Sequence, residues 1–173
     1  MKAFHTCSSR GGIEKVKEKA PFLSQNDERT WLSQGYYFWT DNPYFAYKWG
    51  DDSYDKKYFI FEYFLNFTED KSYLDLTSIN GQLYFDTIKN KIKLKGEINY
   101  TVNGVINFLR DKQNKMDKLF PYVAIKAKDS ACRSQLHFVK GRTEMMSILE
   151  RQQICVFKES SDIISFQKTE HPN

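Results

Sequence analysis

The stretch Trp31-Leu32-Ser33-Gln34-Gly35-Tyr36-Tyr37-Phe38-Trp39-Thr40-Asp41-Asn42-Pro43-Tyr44-Phe45-Ala46-Tyr47-Lys48-Trp49-Gly50 decides how the chain is read. Gly35 to Trp39 is a run of aromatics, a composition that suits a pleated, half-buried strand. Alternation sets Tyr37 opposite Tyr36 and Phe38, so only one set can face a cleft while the other packs in a core. Asp41 or Asn42 can cap a helix and Pro43 fits its first turn. The spacing therefore predicts a helix to Trp49, ended by Gly50.

Working outward, Lys2 to Cys7 is expected to be a buried opening strand, followed by turn residues Ser8 to Gly12. Ile13 to Lys19 reads as a short helix stopped by Pro21, and Phe22 to Ser33 as a polar loop. Downstream, Lys57 to Phe67 is the strongest strand signal, with Tyr73 to Leu76 another. Ser78 to Lys91 and Thr101 to Asn114 carry helical spacing, through Ile79, Leu83 and Ile88 and through Val105, Ile106 and Leu109. Leu119 to Ala127 and Gln135 to Val139 look extended, Thr143 to Glu150 reads as a short helix, and Gln153 to Phe157 and Ile163 to Phe166 as closing strands. The polar residues 167–173 are expected to fray as a disordered tail. Strands at both ends with helices between them indicate one α+β domain over residues 1–166.

The chain has 173 residues, 40% hydrophobic and 16% aromatic. A chain of that size buries about 70% of its unfolded surface, and its apolar content excludes a disordered protein. The net charge of +4 is too small to argue nucleic-acid binding alone. Cys7, Cys132 and Cys155 are unspaced and odd in number, which fits free thiols in a reducing compartment. The opening residues lack a signal-peptide core, and no apolar run reaches the length of a membrane span. A cytoplasmic protein with no membrane partner is the expectation. His5, His137 and His171 have no second ligand at zinc spacing, so no metal is expected. Phosphate-cradling glycine loops and the Gly-x-Ser-x-Gly elbow are missing from the sequence. The basic run Lys89 to Lys95 reads as a solvated helix end.

Two segments carry chemistry: Phe4-His5-Thr6, and Gly35-Tyr36-Tyr37-Phe38 with Ala46 eleven positions after Gly35. Together with Gln153-Ile154-Cys155-Val156-Phe157 near the end, they fall in the order and spacing of a known pattern. The chain resembles the H-Y-E, or more loosely H-Y-(E/D/Q), clade of ADP-ribosyltransferases, which includes the poly-ADP-ribose polymerases and the catalytic domain of diphtheria toxin. The resemblance covers Lys2 to Thr77, where Leu74-Asp75-Leu76-Thr77 also matches some bacterial members, and Glu150 to Phe166. It implies a split antiparallel β-sheet fold with intervening helices, and NAD+ as co-substrate.

The resemblance also implies roles. The bond between nicotinamide and ribose breaks with positive charge developing on the ribose, so the site must hold both ends of the dinucleotide. His5 would hydrogen-bond a ribose hydroxyl of the adenosine half. The backbone of Thr6 would pair with the nicotinamide amide. Tyr37 would stack on the nicotinamide ring, and Gly35 would let the backbone come close beside it. Gln153 stands where many members carry Glu, and its side-chain carbonyl would accept from the nicotinamide-ribose hydroxyl. An amide stabilises a developing cation less than a carboxylate does and supplies no general base. Transfer of a single ADP-ribose unit follows, with any base drawn from Glu144, Glu150 or the acceptor itself. If the register slips by one, Gln152 takes the place of Gln153. Arg10, and after it Arg29, would meet the pyrophosphate. The loop from Lys140 to Gln152, with Arg142, Glu144, Glu150 and Arg151, would choose the acceptor.

The implied protein is an NAD+-dependent mono-ADP-ribosyltransferase, of the kind met as stand-alone bacterial toxins of toxin–antitoxin or phage-defence systems, with a cognate antitoxin as partner. RNA is slightly favoured over protein as the macromolecular acceptor, since a mildly basic chain (pI about 8.8) rich in aromatics can stack bases. Two other classes compete. A transferase fold can bind NAD+ or ADP-ribose without turnover. A metal-free ribonuclease would use His5, His137 and basic residues for general acid–base work.

Overall fold

The computed structural model describes residues 1–27, 30–93, 101–113, 120–129, 135–137, 145–147 and 150–170. Strand β1 (Lys2–Ser8) leads to helix α1 (Ile13–Lys19), then to β2 (Tyr36–Thr40) and α2 (Tyr44–Tyr54). Strands β3 (Tyr58–Leu65) and β4 (Tyr73–Asp75) precede helices α3 (Ile79–Lys93) and α4 (Val102–Gln113). Then come β5 (Ala124–Asp129), β6 (Gln135–His137), β7 (Met145–Ser147), β8 (Arg151–Val156) and β9 (Ile164–Glu170). Seven strands form one sheet in the order β4-β5-β8-β2-β1-β3-β9, antiparallel except for the parallel β4–β5 pair. Strands β6 and β7 pair separately. The chain is therefore α+β, with a mostly antiparallel sheet and four described helices.

Alternation along the strands divides the core in two. Ala3, Phe38, Phe61, Ile154 and Val156 face one side, where Val16 of α1 covers them. Cys155, Ile125 and Leu74 face the other and pack against Phe85 of α3 and Val105, Ile106 and Leu109 of α4. Phe4, Trp39 and Ile60 meet Ala46 of α2. Both faces of the central strands are thus buried, which is why β2 and β3 read as nearly continuous hydrophobic runs. Among the described residues, no helix is long and apolar enough to cross a membrane.

Three local expectations are corrected. Helix α2 does not stop at Gly50: that residue is buried against the Tyr58 ring, and the helix runs on to Tyr54. It ends at Asp55, with a left-handed φ of 50°. Gly50 is small because a ring lies on it, and a short polar residue such as Asp can take the left-handed turn. Within Thr143 to Glu150, Met145–Ser147 is strand rather than helix, because its backbone pairs with Gln135–His137. Residues 167–170 are not a frayed tail. They extend β9, pairing Glu170 with Ile60, Thr169 with Phe61 and Lys168 with Glu62. On this outer strand polar side chains can stay in water while the backbone pairs inward, so composition alone misleads. Residues 171–173 lie outside the described residues.

Gly35 stands just before β2. A Cβ there would lie 2.5 Å from Cys155 Sγ and 2.6 Å from the Val156 carbonyl oxygen. Glycine is required because β2 and β8 approach closely at this point. Gly35→Ala should therefore cost about 1–3 kcal/mol by overpacking. In a chain of this length that lowers Tm by roughly 2–10 °C. Thermal unfolding followed by circular dichroism checks this, and an unchanged Tm would contradict the packing.

Candidate functional site

Strands β1 and β2 are neighbours in the centre of the sheet, yet they pair over two positions only, Ala3 with Thr40 and Phe4 with Trp39. Beyond Phe4 they part, while β1 stays paired to β3 through Ser8. The Lys2 carbonyl accepts from the Asp41 amide on the β2 side, and the Met1 carbonyl accepts from Leu65 on the β3 side. Backbone groups alternate in direction along a strand. Thr6, an even position like Lys2, therefore turns its N–H and C=O toward the opening. Its strand conformation tolerates a Cβ, and its hydroxyl donates to the Ala46 carbonyl at 3.0 Å, which ties β1 to α2.

His5 sits at the edge of this opening, 7% exposed, with its ring 5.7 Å from that of Phe38. The Phe22 amide donates to Nε2 at 3.1 Å. Nε2 must then hold the lone pair, so Nδ1 carries the proton and donates to the Tyr37 carbonyl at 2.9 Å. This single bond spans the gap between β1 and β2. Burial holds the imidazole pKa down, to about 4, against the opposing effect of the Tyr37 carbonyl. The segment from Ala20 to Ser24 lies across the opening as a strap. Its far end is fixed where the Ser24 amide donates to the Gly35 carbonyl at 2.9 Å and the Gly35 amide donates to Ser24 Oγ at 3.1 Å.

Tyr37 projects to the opposite face from His5, packing among Leu32, Cys155 and the α4 side of the core. The two residues adjoin through the Tyr37 backbone, while their side chains occupy different faces. The Tyr37 hydroxyl donates to the Ser33 carbonyl at 2.8 Å and accepts from the Leu32 amide at 2.9 Å. Its ring is therefore a fixed plane, and its pKa is raised by burial. Ser33 is fully buried with φ 76°, a left-handed conformation that costs a non-glycine residue roughly 1–3 kcal/mol. The bonds converging on it hold it there. Its hydroxyl donates to Asn107 and accepts from Arg110, and its carbonyl also receives the Cys155 thiol at 3.6 Å.

Gln153 pairs across β8 and β2 with Trp39, two residues from the Cys155–Tyr37 pair, so it shares a face with Cys155. Its Oε1 accepts from the Trp31 indole N–H at 2.9 Å. An indole nitrogen only donates, so this contact fixes the amide orientation. One of the two lone pairs of the carbonyl expected to face the ribose is engaged, and the amide also carries an NH2 donor.

Other expected residues fall into different settings. Gly35 is explained by the approach of β8. Arg10 is exposed in the turn after β1, its backbone amide bonded to Ser8 Oγ at 3.3 Å. Glu150 pairs with Lys128 at 3.0 Å, and Arg151 pairs with Asp129 across β8 and β5. Glu150 precedes β8 and is exposed, while the Arg151 pair runs across β8 and β5. Arg29, Arg142 and Glu144 lie outside the described residues, as does the His137 side chain. Two contributors were not legible in the sequence: Trp31 reads as a turn residue, and Arg110 as one more charge in the last turn of a helix.

Among the described residues no group of His, Cys, Asp or Glu is placed to hold a metal ion. The buried thiols of Cys7 and Cys155 are each pushed up to about 12 by burial, which makes them poor nucleophiles. The chain matches no protein-family model, no curated protein and no solved structure at a significant level.

The state of His5 has a consequence for stability. Its folded pKa of about 4 lies below the ordinary 6.5, so the unfolded chain takes up a proton first as the pH falls. The stabilising contribution is complete above pH 6.5 and is lost as the pH drops through 4. Between pH 7 and 4.5 the loss should be about 2–3 kcal/mol. Urea unfolding of the native chain and of His5→Gln at both pH values isolates it. Equal pH dependence in the two chains would show that the imidazole is not held neutral.

Proposed function

We propose that the chain is an NAD+-dependent mono-ADP-ribosyltransferase of split-sheet fold. The observation that carries this reading is convergence. His5, Tyr37 and Gln153, far apart in sequence, fall on β1, β2 and β8, three adjacent strands beside the point where β1 and β2 part. His5 and Tyr37 project to opposite faces, so this reading requires one elongated ligand to reach both faces where the strands part.

In this reading the dinucleotide enters where the strap now lies. The Phe22 N–H occupies the imidazole lone pair that a ribose hydroxyl would use, so it must give way when the cofactor binds. Neutral His5 then accepts a hydrogen bond from that hydroxyl at Nε2 while Nδ1 keeps its bond to Tyr37. The Thr6 backbone takes the nicotinamide amide, and the immobile Tyr37 ring offers a stacking plane. The Gln153 NH2 donates to a ribose oxygen. The C–N bond to nicotinamide breaks with its electron pair leaving on nicotinamide, a bond to the acceptor forms at the same carbon, and the acceptor gives up a proton. RNA is favoured slightly over protein as acceptor. A bacterial toxin with a cognate antitoxin is the biological setting this activity fits.

A second reading rests on Gln153: an amide whose carbonyl is engaged by Trp31 suits a module that binds NAD+ or ADP-ribose with little turnover. Incubation with labelled NAD+ and separate pools of RNA, DNA and protein separates the two. The transferase labels the RNA pool, and Gln153→Ala slows labelling about 10²-fold, the scale of losing one stabilising group in a transition state. Label in no pool with NAD+ left intact replaces the transferase with the binding module. RNA cleavage without NAD+ overturns both.

A further inference from the structure

Arg110, near the end of α4, is half-buried, and no carboxylate lies within ion-pair distance of it among the described residues. Its guanidinium lies over the Phe157 ring, 4.4 Å from the centroid. One nitrogen donates to Ser33 Oγ and, at 2.7 Å, to the Gln34 carbonyl. Both acceptors are neutral, so the charge is positioned without being neutralised. A guanidinium has five N–H donors in a planar fork, and the rest remain for another partner. Shielding a cation from water without a counter-charge costs free energy, so the arrangement favours an anion that arrives from outside.

Arg110 borders a half-open cleft of about 920 Å³ between α4, the start of β2 and the segment after β8. Lys158 is exposed on its rim with no ion pair among the described residues, while Lys71, also on the rim, is held by Asp162 at 2.7 Å. Two carboxylates also line the cleft; neither forms an ion pair with Arg110, though Asp111 acts on it through space. Glu159 accepts from the Tyr36 hydroxyl at 3.2 Å, and Asp111 is exposed and beyond ion-pair distance. The half-buried Tyr122 ring and the exposed Asn26 amide complete a lining that combines cations, a flat ring and a hydrogen-bonding edge.

We infer that this cleft binds a nucleotide through its phosphate, with Arg110 and Lys158 on the phosphate oxygens and Tyr122 and Asn26 beside the base. Arg forks match phosphate oxygens, and a base stacks on an aromatic face independently of sequence. The phosphate can come from a dinucleotide such as NAD+ or from single-stranded RNA. The site uses none of His5, Tyr37 or Gln153, so it goes beyond the transfer reaction and does not require it.

Calorimetric titration of the full chain with ADP-ribose, with a 5′-phosphorylated oligoribonucleotide and with adenosine tests the assignment. At least one phosphorylated probe should bind, and which one binds identifies the source of the phosphate. Lys158→Glu should weaken that probe about tenfold and Arg110→Gln by more, with adenosine weak and unaffected. Lys158 is exposed, so its variant decides the matter even if Arg110→Gln fails to fold. Failure of both phosphorylated probes to bind, or undiminished binding in a folded Lys158→Glu, would overturn the inference. Phosphate-dependent binding in a chain that labels no pool from NAD+ leaves this site standing and removes the transferase reading. Full labelling with unaltered nucleotide affinity in both variants does the reverse.

Discussion

The arrangement depends on one incomplete ladder. β1 and β2 are held together at Ala3–Thr40 and Phe4–Trp39 and then separate, leaving the His5–Tyr37 hydrogen bond as the bridge across the gap. Backbone groups turned away from a partner strand must find other partners or a ligand. The structure meets this demand with an imidazole on one side and the Ala20–Ser24 strap on the other.

The turn before β2 makes that gap specific. Within four residues, Trp31 orients Gln153, Leu32 and Ser33 fix the Tyr37 hydroxyl, and Ser33 and Gln34 hold Arg110. A buried serine with positive φ survives because so many bonds converge on it. The phenol, the amide of Gln153 and the guanidinium are thereby all bonded to the same short turn. Such preorganisation suits a site that binds a ligand with several distinct parts.

Legibility in the sequence differed by residue. His5, Tyr37 and Gln153 stood out through the order and spacing that resemble the ADP-ribosyltransferase pattern, while the strands that carry them were readable from aromatic and β-branched runs. Trp31 and Arg110 were silent because their partners lie 122 and 76 residues away, and no local pattern encodes such a contact. Gly35 was legible as a close approach, but the approaching group is the β8 backbone. Polar composition hid the extension of β9, since an outer strand keeps its side chains in water. Met145–Ser147 went unread as strand because its conformation depends on a partner strand rather than on its own propensity.

By itself, the sequence determined the α+β class and the major strands and helices. These follow from short-range periodicity and from the need to bury apolar side chains. Only the tertiary structure decided that β1 and β2 part after Phe4, that the His5 and Tyr37 side chains lie on opposite faces, and that the Gln153 carbonyl meets the Trp31 indole. It also decided that a half-buried arginine on α4 faces a cleft. Strand order, amide orientation and the setting of Arg110 are fixed by long-range packing and by the donor-or-acceptor character of groups that meet only once the chain has folded.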